Sequence, residues 1–327
     1  MSPVRKDGFT LIEMVVVLAV FALVVVYVGR ILAVNERAYH TVEQTSDSQQ
    51  SLRIFGEMIE DEVRHAGMMV ELFGSLCGVD NTAVPDILYV SDAAAIDAQD
   101  DFLTYPGATI TNASNLNVGS SQVLDLDTLV MEPSPPNRPA YDTDGNGTLD
   151  SDFRVNGGVI VFDISDPDRG TACGRITAVD VPNERITVVA VSDLGGTATP
   201  NLRAVPANEY RLNGTQLQWN GYPMAENIED FQVAYIFDFD DDNVIQPGER
   251  FGDGVGATYD SASQSGATAR ELLIALVART RRPDPDYNVG RPQALLNRAA
   301  TNVNDGFRRR TLETRVRLRN LTARIQT

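Results

Sequence analysis

Residues 8–28 read GFTLIEMVVVLAVFALVVVYV, and from Phe9 to Val28 only Thr10 and Glu13 are strongly polar. As a helix rising ~1.5 Å per residue, about 20 such residues span roughly 30 Å, the depth of a bilayer's hydrocarbon core. Arg5 and Lys6 precede the run, and the positive-inside rule then keeps the N-terminus cytoplasmic and sends the rest of the chain across. A secretory signal peptide has a shorter apolar region and a small-residue cleavage site. Here Gly29, Arg30, Ile31 and Leu32 come next instead. Glu13 stands out, because a charge in such a run costs up to roughly 2.5–3.5 kcal/mol and is usually partnered. Placed near one end, it is either tolerated by the headgroups or kept for a partner.

Helical periodicity continues past the apolar run. Ile31, Leu32, Val34, Ala38, Val42, Thr45, Leu52, Phe55, Ile59, Val63 and Ala66 hold a stripe near i, i+3, i+4, i+7. Glu36, Arg37, Glu43, Asp47, Gln50, Glu57, Glu60, Asp61 and Arg64 fall opposite it. No proline interrupts the stretch, and Gly67 suits a C-cap. A helix over 9–66 would be roughly 87 Å long at ~1.5 Å per residue, too long for a compact globule.

Gly8-Phe9-Thr10-Leu11-Ile12-Glu13, behind a short basic leader and ahead of an apolar helix, resembles the class III signal of type IV pilins and type II secretion pseudopilins. The resemblance implies that a prepilin peptidase cuts between Gly8 and Phe9 and methylates the new Phe9 amine. It also implies that the Glu13 carboxylate neutralises the N-terminal ammonium of a neighbouring subunit during assembly. A buried charge is costly alone and tolerable when paired, so such a contact also sets register. The organisation expected is a leader at 1–8, a membrane and filament-core helix at 9–28, its amphipathic continuation at 29–67, and a β-rich periplasmic or extracellular head at 68–327.

Beyond residue 67 the pattern turns to strands, expected at 87–91, 123–131, 158–164, 175–180, 185–191, 210–212, 216–219, 228–237, 271–279 and 312–320. Asn213-Gly214 suits a hairpin turn inside 210–219. The fold class expected is α+β: the pilin fold, its helix packed on an enlarged antiparallel sheet, with insertions around 92–120 and 132–156. The head is most similar to PilW-type minor pilins. That likeness rests on the leader and helix, on Asn227-Ile228-Glu229-Asp230-Phe231-Gln232-Val233-Ala234-Tyr235 before an Asp-rich turn, and on a closing strand at 312–320. It implies as partners other minor and major pilins, the inner-membrane assembly platform and a PilY-type tip adhesin.

Cys77 and Cys173 are the only cysteines. On the extracytoplasmic side a bridge would persist, closing a loop of about 100 residues for up to ~4.7 kcal/mol; the alternative is two buried thiols. Two acidic segments have calcium-loop spacing. One offers Asp142, Asp144, Asn146, Asp150 and Asp152; the other offers Asp238, Asp240, Asp242, the Val244 carbonyl and Glu249. Asn243 replaces the usual glycine in the second, and Phe153 stands where the first would need a bidentate Glu. Solvated turns use the same residues.

Catalysis has little support. The chain has 2 His, on the helix stretch, and no nucleophile elbow, phosphate loop or zinc signature. Across 327 residues, 27 Lys and Arg against 45 Asp and Glu give a net charge of −18, which argues against nucleic acid as the main partner. Any DNA contact would have to concentrate on Arg308, Arg309, Arg310, Arg315 and Arg317. The leading reading is a non-enzymatic minor pilin at or near a filament tip, where a bulky head need not repeat. The alternatives are a J-type minor pseudopilin of type II secretion, which shares the signal and a β-rich head, and a filament-borne calcium-dependent adhesin or binding module.

Overall fold

The architecture is that of a computed structural model, which describes residues 10–96, 104–112, 115–131, 150–240, 242, 244–288, 290, 292–302 and 304–323. The chain forms two compact units, residues 1–47 and 48–327. One helix, α1 (Leu11–Arg64), begins in the first unit and ends in the second. It stops two residues short of the expected Ala66. Residues 65–67 leave it as a turn, and Gly67, at φ 76°, donates its N–H to the Ser91 carbonyl.

In the first unit the apolar run finds no cover: Leu11 is 83% exposed and Leu23 72%. Helical backbone satisfies its own polar groups, so this segment is long and apolar enough to cross a membrane.

In the second unit the end of α1 buries Leu52, Gly56, Ile59 and Val63, spaced one helical turn apart. The strands follow as β1 (Leu76–Val79), β2 (Ile87–Val90), β3 (Ala108–Thr109), β4 (Ser121–Asp125), β5 (Gly158–Asp163), β6 (Thr171–Asp180) and β7 (Arg185–Ala190). Then come β8 (Leu202–Asn213), β9 (Gln216–Trp219), β10 (Tyr222–Glu226), β11 (Ile228–Phe237), β12 (Arg250–Phe251), β13 (Ala269–Arg279), β14 (Arg309–Arg317) and a short helix α2 (Arg319–Ala323). A ten-stranded sheet runs β1-β2-β8-β5-β6-β7-β4, with β3 and β9 also on β8 and β10 on β9. A four-stranded sheet runs β12-β11-β13-β14. Leu52, Ile59 and Val63 of α1 share one core with Leu88, Tyr210 and Leu217 of the first sheet and Phe231, Leu276 and Val316 of the second. The long N-terminal helix packed on antiparallel sheets is the expected pilin fold class.

Asp86 stitches the two sheets. Its N–H donates to Phe231 O at 2.9 Å, while its carboxylate accepts from Val233 N at 2.7 Å and Asn81 N at 2.7 Å. Burial pushes its carboxyl up to about 8.

Several strand boundaries differ from expectation. The strand expected at 312–320 begins at 309 and ends at 317, because residues 319–323 turn helical, and the one expected at 123–131 occupies 121–125. Strands β1, β3, β10 and β12 carry too few residues or too weak an alternation to announce themselves. Strand β8 begins at 202, well before the expected 210, despite containing Pro206. The proline falls between the residues that β3 pairs, 203–204, and those that β2 pairs, 208–211, so its missing N–H costs no ladder bond on that side. Ser91 Oγ meets the Pro206 carbonyl there at 2.7 Å.

The bridge between Cys77 in β1 and Cys173 in β6 holds their Cα atoms 6.1 Å apart. In the sheet these strands are separated by β2, β8 and β5. A flat sheet at ~4.8 Å per strand would set them roughly 19 Å apart. The sheet must therefore curl until β1 meets β6. Tyr89, Ile160, Phe162 and Val205 wall in the fully buried disulfide.

Candidate assembly site and acidic loop

Gly8 and Phe9 lie outside the described residues; Thr10 is the first one seen. Thr10 N–H and Oγ1 each donate to Glu13 Oε2 at 2.8 Å, and Glu13 N–H points back to Thr10 Oγ1 at 3.4 Å. This is a reciprocal capping box, set by the T-x-x-E spacing, which satisfies donors at the start of α1. The Glu13 carboxylate is thus engaged by its own chain and exposed to solvent or to a second charge. The sequence alone had suggested no role for Thr10, although the three-residue spacing carries the signal.

The second acidic segment joins β11 to β12. Carboxylate oxygens of Asp238, Asp240 and Asp242 lie within 4.8 Å of one another, with Asp238 buried and the other two exposed. The loop also ties itself together. Asp242 N–H donates to Asp238 Oδ1 at 3.1 Å, Val244 N–H to Asp242 Oδ1 at 2.7 Å, and Gln246 Nε2 to Asp240 Oδ2 at 3.0 Å. Glu249 is buried and holds the turn at Pro247–Glu249: Oε1 accepts from Phe239 N at 2.7 Å and Oε2 from Gln246 N at 2.8 Å. Arg270 Nε approaches Asp238 to 3.6 Å. Lost hydration first, then the neighbouring Asp242, Glu249 and Asp238 charges, raise the Asp240 carboxyl above its ordinary range. Such repulsion is what a hard divalent cation relieves.

Of the first acidic segment, Asp142, Asp144 and Asn146 lie outside the described residues. Asp152 accepts Met131 N–H at 2.5 Å and so closes the chain on itself there; Asp150 is half-buried.

The helix brings one further buried acid that the sequence alone did not single out. Glu62 Oε2 accepts from Tyr210 Oη at 2.5 Å, and the Asn208 and Trp219 side chains also face the carboxyl. Burial pushes its carboxyl up to about 7; the Tyr210 bond opposes that rise and the Asp92 charge adds to it. Glu62 lies three residues after Ile59 and four before Ala66, on the apolar stripe, and that placement was the available signal.

Residues 188–320 match the family described as Type IV Pilus-assembly protein W, and residues 4–28 match the prokaryotic N-terminal methylation motif. The chain is a type IV pilin-like protein with a PilW region. The matched region runs from within β7 through β14 and takes in the acidic loop, the Phe231 and Val233 partners of Asp86 and the whole four-stranded sheet. The methylation motif covers the leader and the exposed apolar run, which fits a membrane-anchored pilin. A type IV-like pilin of known structure from Thermus thermophilus is similar over 52% of this chain and 88% of its own, at 18% identity and a TM-score of 0.23, too loose a superposition to compare residues. No curated protein matches the chain significantly.

Proposed function

We propose that this pilin is a minor pilin that helps to prime filament assembly at or near the tip. Prepilin peptidase removes residues 1–8, cutting between Gly8 and Phe9, and methylates the Phe9 amine. Before assembly the segment 9–28 spans the inner membrane with the N-terminus cytoplasmic and residues 68–327 periplasmic; after assembly the helix lies in the filament core and the head at the cell surface. Its neighbours are other minor pilins, the major pilin, the assembly platform and a PilY-type tip adhesin.

One observation carries this reading. The methylation motif opens directly onto an exposed apolar helix whose single early carboxylate, Glu13, is held at the helix start. An incoming ammonium there replaces a hydrogen bond by an ion pair in a medium of low dielectric, where pairing matters most. A deletion strain complemented with this chain is the test. Restored pili in the sheared surface fraction support the reading; restored exoprotein release with piliation unchanged assigns the chain to type II secretion instead.

The loop 238–249 contributes by taking calcium, a reading supported by the three converging carboxylates. Each Glu249 oxygen accepts one backbone N–H and keeps a second lone pair with which it can join the ligands. Calcium is expected to raise the thermal midpoint of the purified chain, with Asp240→Asn abolishing the rise; no shift with saturating calcium removes this role.

A further inference from the structure

Strand β14 closes the four-stranded sheet and, among the described residues, pairs only with β13, over nine residues and without a register shift. Thr280 N–H donates to Arg308 O, and Leu318 N–H to Arg270 O, at the two ends of this ladder. Those bonds make the even-numbered residues of β14 the ones bonded to β13. Antiparallel alternation then turns the N–H and C=O groups of Thr311, Glu313, Arg315 and Arg317 away from the sheet. Among the described residues none of these outward groups has a backbone partner. The side chains of Leu312, Thr314 and Val316 face inward: Leu312 lies over Gly56 of α1, Thr314 Oγ1 donates to Glu60 Oε2 at 3.2 Å, and Val316 is buried.

The charge on this edge runs against that of the molecule. Lys6 is the sole lysine of a chain of net charge −18, yet residues 308–319 hold six arginines and one acid, Glu313. Three of the arginines pair with acids of the head, and Arg319 is also engaged. Arg308 pairs with Asp284 at 2.8 Å, Arg309 with Glu229 and Asp305, and Arg315 with Glu271 at 3.4 Å. Arg310 and Arg317 are exposed and make no ion pair with a described residue. They sit near opposite ends of the strand and, by the same alternation, on opposite faces of it, which is poor spacing for a compact phosphate-binding patch and leaves one arginine on each face of an added strand.

We propose that this edge takes up an extended, acidic strand from a neighbouring protein by β-augmentation. Main-chain hydrogen bonds to residues 311–317 supply the attachment and Arg310 and Arg317 supply the preference for acid. Arginine on an edge disfavours pairing with a second copy of the same strand, where like charges would meet, and leaves an acidic strand attractive.

The probe is a fluorescein-labelled peptide of eight residues, four valines flanked by two glutamates at each end so that an acid meets either face at either end, titrated into the full-length chain in detergent by anisotropy. Saturable binding is expected, together with slowed hydrogen exchange of the amides of 311, 313, 315 and 317, and no binding of a lysine–valine counterpart. Glu313→Pro removes an outward N–H without breaking the ladder to β13, and it also deletes the one acid, so charge alone would strengthen binding. It is expected to weaken binding about tenfold or more. Arg310→Glu combined with Arg317→Glu leaves the backbone untouched and serves if the proline variant unfolds; a comparable loss is expected. No binding, or binding indifferent to both variants, overturns the proposal and leaves the arginines as mere edge protection. A duplex DNA oligonucleotide bound more tightly than the peptide, and equally by the proline variant, overturns it in favour of a nucleic-acid contact.

Discussion

At the scale of single residues, Glu13 carries two separable duties: it caps α1 through Thr10, and it presents a negative charge within an apolar run. Glu13→Gln retains an acceptor for the Thr10 N–H and loses only the charge. This variant is expected to be cleaved normally and to keep its helix content by circular dichroism, yet to fall about tenfold or more in the sheared filament fraction. Thr10→Val removes the hydroxyl at a cost of ~1 kcal/mol of helix stability and should still be incorporated. Incorporation of Glu13→Gln at the normal level would mean that the carboxylate serves the cap alone. Glu13 was legible because a charge among valines is conspicuous. The cap was written just as plainly in T-x-x-E, but the same residues also open a membrane-length apolar run, and that stronger pattern masks it. Gly8 and Phe9, on which the proposed cleavage turns, lie outside the described residues.

At the scale of elements, α1 was readable because proline-free 3.6-residue periodicity survives the end of the apolar run. The β9–β10 turn was equally available in Asn220-Gly221, whose φ angles of 50° and 79° are what a tight hairpin demands. Strand β8 was not, since Pro206 in a central strand is admissible only where neighbouring strands leave a gap, and that gap is a property of the assembled sheet. Glu62 joins the helix to β8 through Tyr210, and its raised pKa gives a pH signature. The folded state binds this proton more tightly than the unfolded chain, whose ordinary value is 4.5. The stabilising effect of that proton is complete below pH 4.5 and is lost as pH rises through about 7. Glu62→Gln should therefore leave stability unchanged near pH 4 and raise it by up to about 3 kcal/mol at pH 8. Urea unfolding followed by the emission of Trp219, the only tryptophan, measures both. An equal effect at the two pH values would contradict the assignment.

At the scale of the molecule, the alternation of apolar positions announced two-sided sheets but not their curl, because closure depends on which distant strands meet. The cysteines were the only sequence sign of that meeting. Replacing both with serine is expected to cost about 2–5 kcal/mol in denaturant unfolding. Cooperativity should also fall, since Tyr89, Ile160, Phe162 and Val205 lose the wall they pack on; an unchanged midpoint would show that the curl holds without the bond. The acidic loop was legible as ligand spacing, whereas the capping role of Glu249 and the approach of Arg270 to Asp238 were not, because both depend on how β12 and β13 are laid beside the loop.

All of these roles presuppose that the chain is processed as a pilin and enters a filament by its N-terminal helix. Mass spectrometry of the N-terminal peptide of the native protein, taken from sheared filaments, tests this most directly. The account predicts a peptide that begins at Phe9 and carries one methyl group on its α-amine; a peptide that begins at Met1, or an unmodified end downstream of Glu13, would contradict it.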